Sequence, residues 1–313
     1  MGWVIAGAAL AVFLLLLLAA AWAVFYKAAG RKGKIFDLTD SEFIKGTEWE
    51  KYREKISENS ALIKNYGFEK VFVKAGDGIK LAGKFIAAKN PRFTVILFHG
   101  YRSIALNDFA GIIGFYLNLN GNVLLADQRA HGESEGKYIG FGVLERYDVL
   151  SWVEYCNSCF AGMPVFLEGL SMGASSVLMA SGITDNPLIR GIIADCGFTS
   201  PWDILKHVMH ADYKLPAFPL LNIASFISKI KAGYSFKEYS TLDAMRKCPY
   251  PVLLVHGKAD KFVPYEMSLN NFDACVSSKK LISVENAAHG CSYFEKPEEL
   301  ETELENFIET NLR

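Results

Sequence analysis

From residue 69 onward the chain alternates short apolar runs with helical stretches, and this alternation restricts the possible folds more than any other feature. The apolar runs are continuous, which is typical of strands buried on both faces of a parallel sheet. We therefore predict an α/β fold, with a mostly parallel central sheet and helices on both faces. The predicted strands are Thr94–Phe98, Asn122–Ala126, Pro164–Leu167, Ile189–Ala194, Pro251–Val255 and Leu281–Val284, and the predicted helices lie near Asp108–Leu119, Val143–Tyr155, Ser171–Gly182, Tyr265–Ala274 and Pro297–Thr310.

Two segments add to this core. Glu69–Lys74 and Ile79–Ala87 are separated by Ala-Gly-Asp-Gly, which predicts a β-hairpin at one edge of the sheet. More than fifty residues then separate Asp195 from Pro251, where a short connection would suffice. We interpret residues of about 200–245 as a small helical cap over the carboxyl edge of the sheet, with ordinary surface packing as the alternative.

The pentapeptide Gly169–Gly173 has the sequence Gly-Leu-Ser-Met-Gly between a predicted strand and a predicted helix. A serine at the centre of so tight a turn has a strained backbone and an exposed hydroxyl, and the flanking glycines leave room for the helix to pack on the strand. Gly-x-Ser-x-Gly alone is a weak pattern, but strand before and helix after are typical of a nucleophile elbow. Ser171 is therefore the predicted nucleophile.

Its partners follow other predicted strands. Asp260 lies in the loop after Pro251–Val255, and His289 lies in a loop of small residues after the last strand. The order serine, acid, histidine is the one that this architecture uses, with histidine as the general base. The backbone N–H groups of Tyr101 and Met172 are the predicted oxyanion-hole donors.

Several residues have competing interpretations. Asp260 alone would suit a helix N-cap and His289 alone an exposed loop, and Asp195 is a second candidate for the acid of the triad. We expect no metal or other cofactor, because His207 and His210 lack a third ligand with metal-site spacing. Other candidates have simpler roles: Arg102 is expected to be solvated or to pair with an acidic substrate group, and Cys156 and Cys159 to be ordinary thiols.

Over roughly residues 66–313 the chain resembles the α/β-hydrolase superfamily, and within it the short-cap serine hydrolases known as serine-aminopeptidase-like, Bem46-type and ABHD proteins. The resemblance is carried by the Leu-Phe-His-Gly segment that ends at Gly100, by the segment Asp127–Ser134, by the pentapeptide, and by the loops of Asp260 and His289. It implies that Asp127–Ser134 is structural, so that His131 is not catalytic. Ala130 stands there where the family commonly has glycine.

The start of the chain indicates a membrane anchor. Residues 3–26 carry no charge and would form a helix of about 36 Å, against a hydrocarbon core of about 30 Å. We predict an anchor over residues 1–26, a basic tether and helical stalk over 27–65, and a hydrolase domain over 66–313. The helical stretch begins at Asp40 or Ser41, and it either packs beside the main domain or serves as a stalk. Cleavage near Ala21–Ala23 is the alternative, and it would give a secreted enzyme.

Charge indicates which side of the membrane the domain occupies. The basic residues Lys27, Arg31, Lys32 and Lys34 follow the apolar run, and the six cysteines form no dense framework. The expected location of the catalytic domain is therefore cytoplasmic. A net charge of −1 gives no reason to expect a nucleic-acid partner.

Together these features predict a serine hydrolase that cleaves a carboxylic ester or thioester through an acyl-enzyme. An apolar cap beside an anchor favours a small-molecule or lipid-like acyl substrate near a membrane. A peptidase or amidase of the same fold is one alternative. A non-catalytic, membrane-tethered binding module is the other, although no triad member is missing. The sequence does not indicate an oligomeric state.

Overall fold

In the computed structural model, which describes residues 1–32, 44–63 and 66–312, an eight-stranded sheet organises the chain. The strand order is β1-β2-β4-β3-β5-β6-β7-β8, and β2 alone runs antiparallel to its neighbours. This agrees with a mostly parallel sheet that carries a hairpin at one edge. The strands are β1 Glu69–Lys74, β2 Lys80–Ile86, β3 Phe93–Phe98, β4 Gly121–Ala126, β5 Val165–Leu170, β6 Ile189–Asp195, β7 Val252–Gly257 and β8 Lys279–Val284.

Twelve α-helices occur in the described residues, and a 3-10 turn at Glu50–Tyr52 precedes the second of them. They are α1 Gly2–Ala29, α2 Arg53–Ile63, α3 Ala105–Phe109, α4 Ile113–Asn118, α5 Glu145–Cys159, α6 Met172–Ser181, α7 Pro201–Ala211, α8 Leu220–Ala232, α9 Thr241–Met245, α10 Tyr265–Ala274, α11 Ser292–Glu295 and α12 Pro297–Asn311.

The central strands are buried on both faces, as their continuous apolar sequences predict. Successive residues of β3 point to opposite faces, so Ile96 lies in one apolar cluster and Leu97 in another. Trp152 of α5 fills the first cluster, and Tyr116 of α4 lies in the second. Helices therefore cover both faces of the sheet, and the loops at the carboxyl ends of the strands are left to form a site.

One predicted helix is divided into two in the structure. The sequence pattern predicts a single helix over Asp108–Leu119, but the chain forms α3 and α4 with a break around Gly111. A Cβ on Gly111 would lie 2.5 Å from the side-chain nitrogen Nδ2 of Asn59 in α2. The close approach of α2, which periodicity within 108–119 does not reveal, coincides with this break.

The cap consists of α7, α8 and α9, inserted between β6 and β7. Ser200 caps α7 through a bond from the Asp203 N–H, and Ser240 caps α9 in the same way. The longest of the three is α8, which runs from Leu220 to Ala232.

The N-terminal region lies against the hydrolase domain. Among the described residues, only α1 is long and apolar enough to cross a membrane, a test that a signal sequence also passes. It extends three residues beyond the predicted anchor, to Ala29. Within the predicted stalk, Tyr52 and Ile56 are buried in the second apolar cluster. The predicted helix start at Asp40 or Ser41 lies outside the described residues.

Candidate active site

Ser171 occupies the turn between β5 and α6 with φ 54° and ψ −111°. A positive φ is rare for a residue other than glycine and is typical of strained functional sites. Its N–H donates to the Asp195 carbonyl at 2.8 Å, which holds the turn against β6. The sequence pattern predicts this conformation, because strand and helix meet at the serine.

The two glycines of the pentapeptide are required by close backbone contacts. A Cβ on Gly173 would lie 1.8 Å from the Phe98 carbonyl oxygen, and one on Gly169 would lie 2.2 Å from the Gly173 carbonyl carbon. Both contacts are with backbone atoms, which cannot move aside as a side chain could. Glycine is therefore the residue that lets α6 pack this tightly on β3 and β5.

Three predicted side chains come together over this turn. His289 Nε2 lies 3.0 Å from Ser171 Oγ, and His289 Nδ1 lies 2.7 Å from Asp260 Oδ2. Since the carboxylate only accepts, Nδ1 carries the proton and Nε2 is left to accept from the serine hydroxyl. This arrangement suits a nucleophile, a general base and an orienting acid in that order.

Asp260 is held ionised by its surroundings. Its Oδ1 accepts from the N–H groups of Phe262 and Val263, each at 2.9 Å. Burial on its own raises the pKa of Asp260, but the charge of His289 and the hydrogen bonds from His256 and His289 lower it below the usual range.

Asp260 acts on the base in turn. Burial lowers the pKa of His289, and the opposing charge and hydrogen bond of Asp260 outweigh burial and raise it. The group that would take the serine proton therefore has its protonated form stabilised by the carboxylate beside it.

His256 was not singled out by the sequence, although it directly precedes the glycine that ends β7. It is buried, and its Nε2 lies 3.1 Å from Asp260 Oδ2 and 3.0 Å from the Val263 carbonyl oxygen. Ser268 Oγ lies 2.6 Å from the other ring nitrogen. Two acceptors at Nε2 place the proton there, so His256 donates to Asp260 and fixes its orientation. The sequence signal that could have indicated this role is the spacing of four residues between His256 and Asp260.

The two predicted oxyanion donors, the N–H groups of Tyr101 and Met172, have no hydrogen-bond partner among the described residues. The first follows β3 and the second begins α6, one residue after the serine. Backbone donors that the protein leaves free beside a nucleophile are what an oxyanion hole requires.

The loop that carries Tyr101 is held on both sides. Asp108 accepts from the Gly100 N–H at 2.7 Å and from the Ser103 hydroxyl at 2.5 Å. The Arg102 N–H donates to His131 Nε2 at 3.0 Å. Burial lowers the pKa of His131 to about 3, so this ring is neutral and can accept the bond. Asp108 and His131 thus support the loop from its two flanks.

Arg102 does not lie free in solvent. Its guanidinium donates to the carbonyl oxygens of Lys27 at 2.7 Å and Gly30 at 3.1 Å, and the Tyr101 hydroxyl donates to the Ala28 carbonyl at 2.7 Å. A cation at a helix C-terminus satisfies the last carbonyls and complements the helix dipole. The expectation of a solvated Arg102 was wrong, because spacing does not reveal that α1 ends here, and pairing with an acidic substrate group stays a prediction.

His289 also receives support from the N-terminal region. The His289 N–H donates to Glu48 at 3.3 Å, and the indole N–H of Trp49 donates to the His289 carbonyl at 3.1 Å. Residues more than two hundred positions apart meet here, which no local pattern in the sequence predicts.

The remaining candidates lie elsewhere or have structural contacts. Asp195, the second candidate for the acid, accepts from Ser292 and has no hydrogen bond to His289. Of the described residues, His207 and His210 belong to no cluster of three possible metal ligands. The one such cluster in those residues joins Cys196 to Asp260 and His289, whose ring and carboxylate already bond within the triad. Burial raises the pKa of Cys196, so it remains a thiol there.

The segment Asp127–Ser134 makes structural contacts next to the site. The Gln128 N–H donates to His99 at 3.0 Å, and Arg129 forms a bidentate pair with buried Asp148 at 2.6 Å. Ala130 has φ 61°, a conformation that favours the glycine common in related chains.

An α/β sheet of this topology, with a strained serine between β5 and α6, defines an α/β-hydrolase. A model of the prolyl oligopeptidase family matches residues 142–313. The chain belongs to the prolyl oligopeptidase family, within the superfamily that the sequence motifs indicate.

The chain is also similar to proteins from three organisms. YqkD of Bacillus subtilis, an uncharacterized protein, is 30% identical over 74% of this chain and 76% of its own. Alpha/beta hydrolase domain-containing protein 17B of Xenopus tropicalis is 23% identical over 68% of this chain and 66% of its own. The esterase Pf2001 of Pyrococcus furiosus superposes with a TM-score of 0.66, at 24% identity, over 80% of this chain and 93% of its own. The resemblance to the α/β-hydrolase superfamily that the sequence motifs indicate is confirmed.

Proposed function

We propose that this hydrolase cleaves carboxylic esters or thioesters by two-step acyl transfer at Ser171. The observation that carries the proposal is the hydrogen-bonded chain from Ser171 through His289 to Asp260, with lengths of 3.0 and 2.7 Å. The two free N–H groups of Tyr101 and Met172 beside it supply the other half of the chemistry.

In the first step Ser171 Oγ attacks the carbonyl carbon while His289 Nε2 takes the hydroxyl proton. The carbonyl oxygen becomes an oxyanion and accepts from the Tyr101 and Met172 N–H groups. When the tetrahedral intermediate collapses, the alcohol or thiol leaves with the proton from His289, and the acyl group stays on the serine. Asp260 keeps the imidazole in the required tautomer and stabilises its charged form.

The second step releases the acyl group. Water attacks the acyl carbonyl and gives its proton to His289 Nε2, and the oxyanion forms again in the same hole. Collapse breaks the bond to Ser171 Oγ, which takes the proton back, and a carboxylic acid leaves. No step requires a metal or organic cofactor.

The proposed substrate is an acyl or lipid-like ester at a membrane, with α1 as an uncleaved anchor. The contacts of α1 support retention, since Ala21 and Phe25, on either side of the possible cleavage site, are both buried against the domain. The basic residues Lys27, Arg31 and Lys32 after the apolar run favour a cytoplasmic domain.

Peptide or amide hydrolysis is the second candidate, and the family match over residues 142–313 is what favours it. Comparing kcat/KM for acyl esters, thioesters and aminoacyl amides of increasing chain length separates the two. The proposal expects turnover to rise with acyl length and amides to be poor substrates. Amides that are turned over faster than matched esters would favour the peptidase.

Labelling with a fluorophosphonate probe tests for a reactive serine and against a binding module. The full chain should label at Ser171, and Ser171→Ala should abolish labelling. Ser176→Ala is a matched control, because this buried hydroxyl lies five residues further along the chain and, within the described residues, bonds to Gln128 and the Met172 carbonyl. Labelling that persists in Ser171→Ala would contradict the assignment of the nucleophile.

A further inference from the structure

The second half of α1 packs along cap helix α8 and does not project freely. Its residues Ala21, Phe25 and Ala29 recur on one face and are buried. Phe25 lies in an apolar cluster with Leu221 and Ala224 of α8. The two helices run side by side, with small residues on both allowing close approach.

The free part of α1 is short. Residues 2–16 are all exposed, and Leu17 is the first half-buried position. These fifteen residues form a helix of about 22 Å. A hydrocarbon core is about 30 Å thick, so the free part falls roughly 8 Å short of crossing it. If α1 spans a membrane, residues beyond Leu17 must also lie in the bilayer, and α8 is packed beside them.

The outward face of α8 suits such a position. Phe226 and Ile230, one helical turn apart, are 66% and 64% exposed. Phe218, just before the helix, is 75% exposed as well. Large aromatic and aliphatic side chains in a contiguous exposed row mark an interaction surface.

Two lysines lie against aromatic rings where α1 meets the cap. Lys231 lies 5.5 Å from the ring centre of Trp22, and Lys27 lies 4.6 Å from that of Tyr213. Residues 201–240 contain five lysines against three acidic residues. Aromatic rings and lysines together at the edge of an apolar surface are typical of the membrane interface, where lysines meet anionic headgroups.

We propose that α8 is a membrane-docking helix, with Phe226 and Ile230 inserted into an anionic lipid leaflet beside α1. The leaflet reaches the Ile230 end of α8 first, because Lys231 lies beside Trp22 whereas Leu221 lies in the cluster of Phe25. The inference rests on the proposed anchoring by α1 and extends it to the cap. It brings the leaflet close to the site, because Met172 belongs to the apolar cluster that contains Phe25 and Leu221.

Lipid-borne quenching of a site-specific fluorophore tests the proposal on the full chain. Cys159 is the one exposed native cysteine among the described residues, so Cys159→Ser provides the background. Single bimane labels are placed through Phe13→Cys in α1, Phe226→Cys in α8 and Asn90→Cys. Asn90 is exposed near the amino end of β3, at the sheet edge opposite the cap, and serves as the matched control. The protein is reconstituted into phosphatidylcholine–phosphatidylglycerol vesicles that carry nitroxide-labelled lipid.

The proposal expects strong quenching at positions 13 and 226 and none at 90. Quenching at 13 without quenching at 226 would overturn the docking of α8 while leaving the anchor intact. Quenching at neither position would overturn the anchor and the docking together. The two failures are therefore distinguishable.

A kinetic comparison gives a second, independent readout. Phe226→Glu with Ile230→Glu places charges on exposed positions that no catalytic residue contacts, and Asn90→Glu is the control. The measured quantity is the ratio of turnover of a bilayer-embedded ester to that of a short water-soluble ester. The docking helix requires this ratio to fall several-fold in the double variant alone, and an unchanged ratio would contradict it.

Discussion

The guanidinium of Arg102 binds the carbonyl oxygen of Lys27 at 2.7 Å and so joins the oxyanion loop to the end of α1. Arg102 also has a positive φ of 55°, directly after the residue whose N–H is the proposed oxyanion donor. The position of that donor therefore depends on a helix that the hydrolase fold does not itself require.

Replacing Arg102 by alanine is expected to lower kcat on a soluble ester roughly tenfold, because the loop that carries the Tyr101 N–H loosens. The loss should be smaller than the roughly 10²–10³-fold loss on removing an oxyanion donor, because the Tyr101 N–H itself remains. Arg31→Ala is the matched control. Arg31 also joins the end of α1 to the domain, but through the Gly132, Ser134 and Gly136 carbonyls, away from the oxyanion loop. Equal effects of the two variants on kcat would contradict this account.

The pH dependence of kcat/KM follows from Asp260 and His289. Since Asp260 raises the pKa of His289, and the base must be neutral, activity should rise with pH with a midpoint above 6.5. Asp260→Asn removes the charge, so it should lower kcat by about 10⁴-fold and move the midpoint of the residual activity downward. A midpoint that stays in place would show that another group provides the raised pKa.

The elbow glycines should tolerate no side chain. Gly173→Ala is expected to cost more than about 2 kcal/mol of unfolding free energy, because its Cβ would overlap backbone atoms of β3. Gly76→Ala is the control, since nothing lies within 4 Å of a Cβ there. Urea denaturation followed by circular dichroism measures both. A Gly173→Ala variant as stable as the control would refute the close packing of α6 on β3.

The ion pair beneath the site should contribute to stability. Arg129 and Asp148 are both buried, and burial raises the pKa of Asp148 to about 7. Asp148→Ala leaves the guanidinium without its main partner and is expected to cost about 3–5 kcal/mol. The exposed pair of Lys258 and Glu285 provides a contrast, because Lys258→Ala should hardly change the unfolding midpoint. Similar unfolding midpoints for the two variants would contradict the larger contribution of the buried pair to stability.

Much of the fold could be predicted because each signal is local. Continuous apolar runs place β3 to β8 within a few residues, and Gly-Leu-Ser-Met-Gly predicts the turn at Ser171. Asp260 and His289 were identifiable because each follows a strand, and parallel strands bring their carboxyl ends to one edge. The cap, inferred from an insertion of more than fifty residues with apolar helical patches, could be placed but not oriented.

The missed features all depend on contacts between distant residues. Trp49 meets the His289 carbonyl across 240 positions, and Arg102 meets Lys27 across 75. Neither pair has a periodicity or a motif, since each arises only when the N-terminal region packs on a completed domain. The same reason explains why the residues predicted as a stalk include Tyr52, which is buried in the hydrolase core.

The most direct test of the central claim is the steady-state hydrolysis of a medium-chain ester by the full chain and by Ser171→Ala. If Ser171 is the nucleophile that His289 activates, the substitution should lower kcat by about 10⁵-fold or more, and His289→Ala should add little to that loss because the two act as a unit. Mass spectrometry should also find an acyl adduct on Ser171 in the wild type. A broken triad should leave far less than about a tenth of the wild-type activity. A Ser171→Ala enzyme with kcat within about tenfold of the wild-type value would therefore contradict Ser171 as the nucleophile.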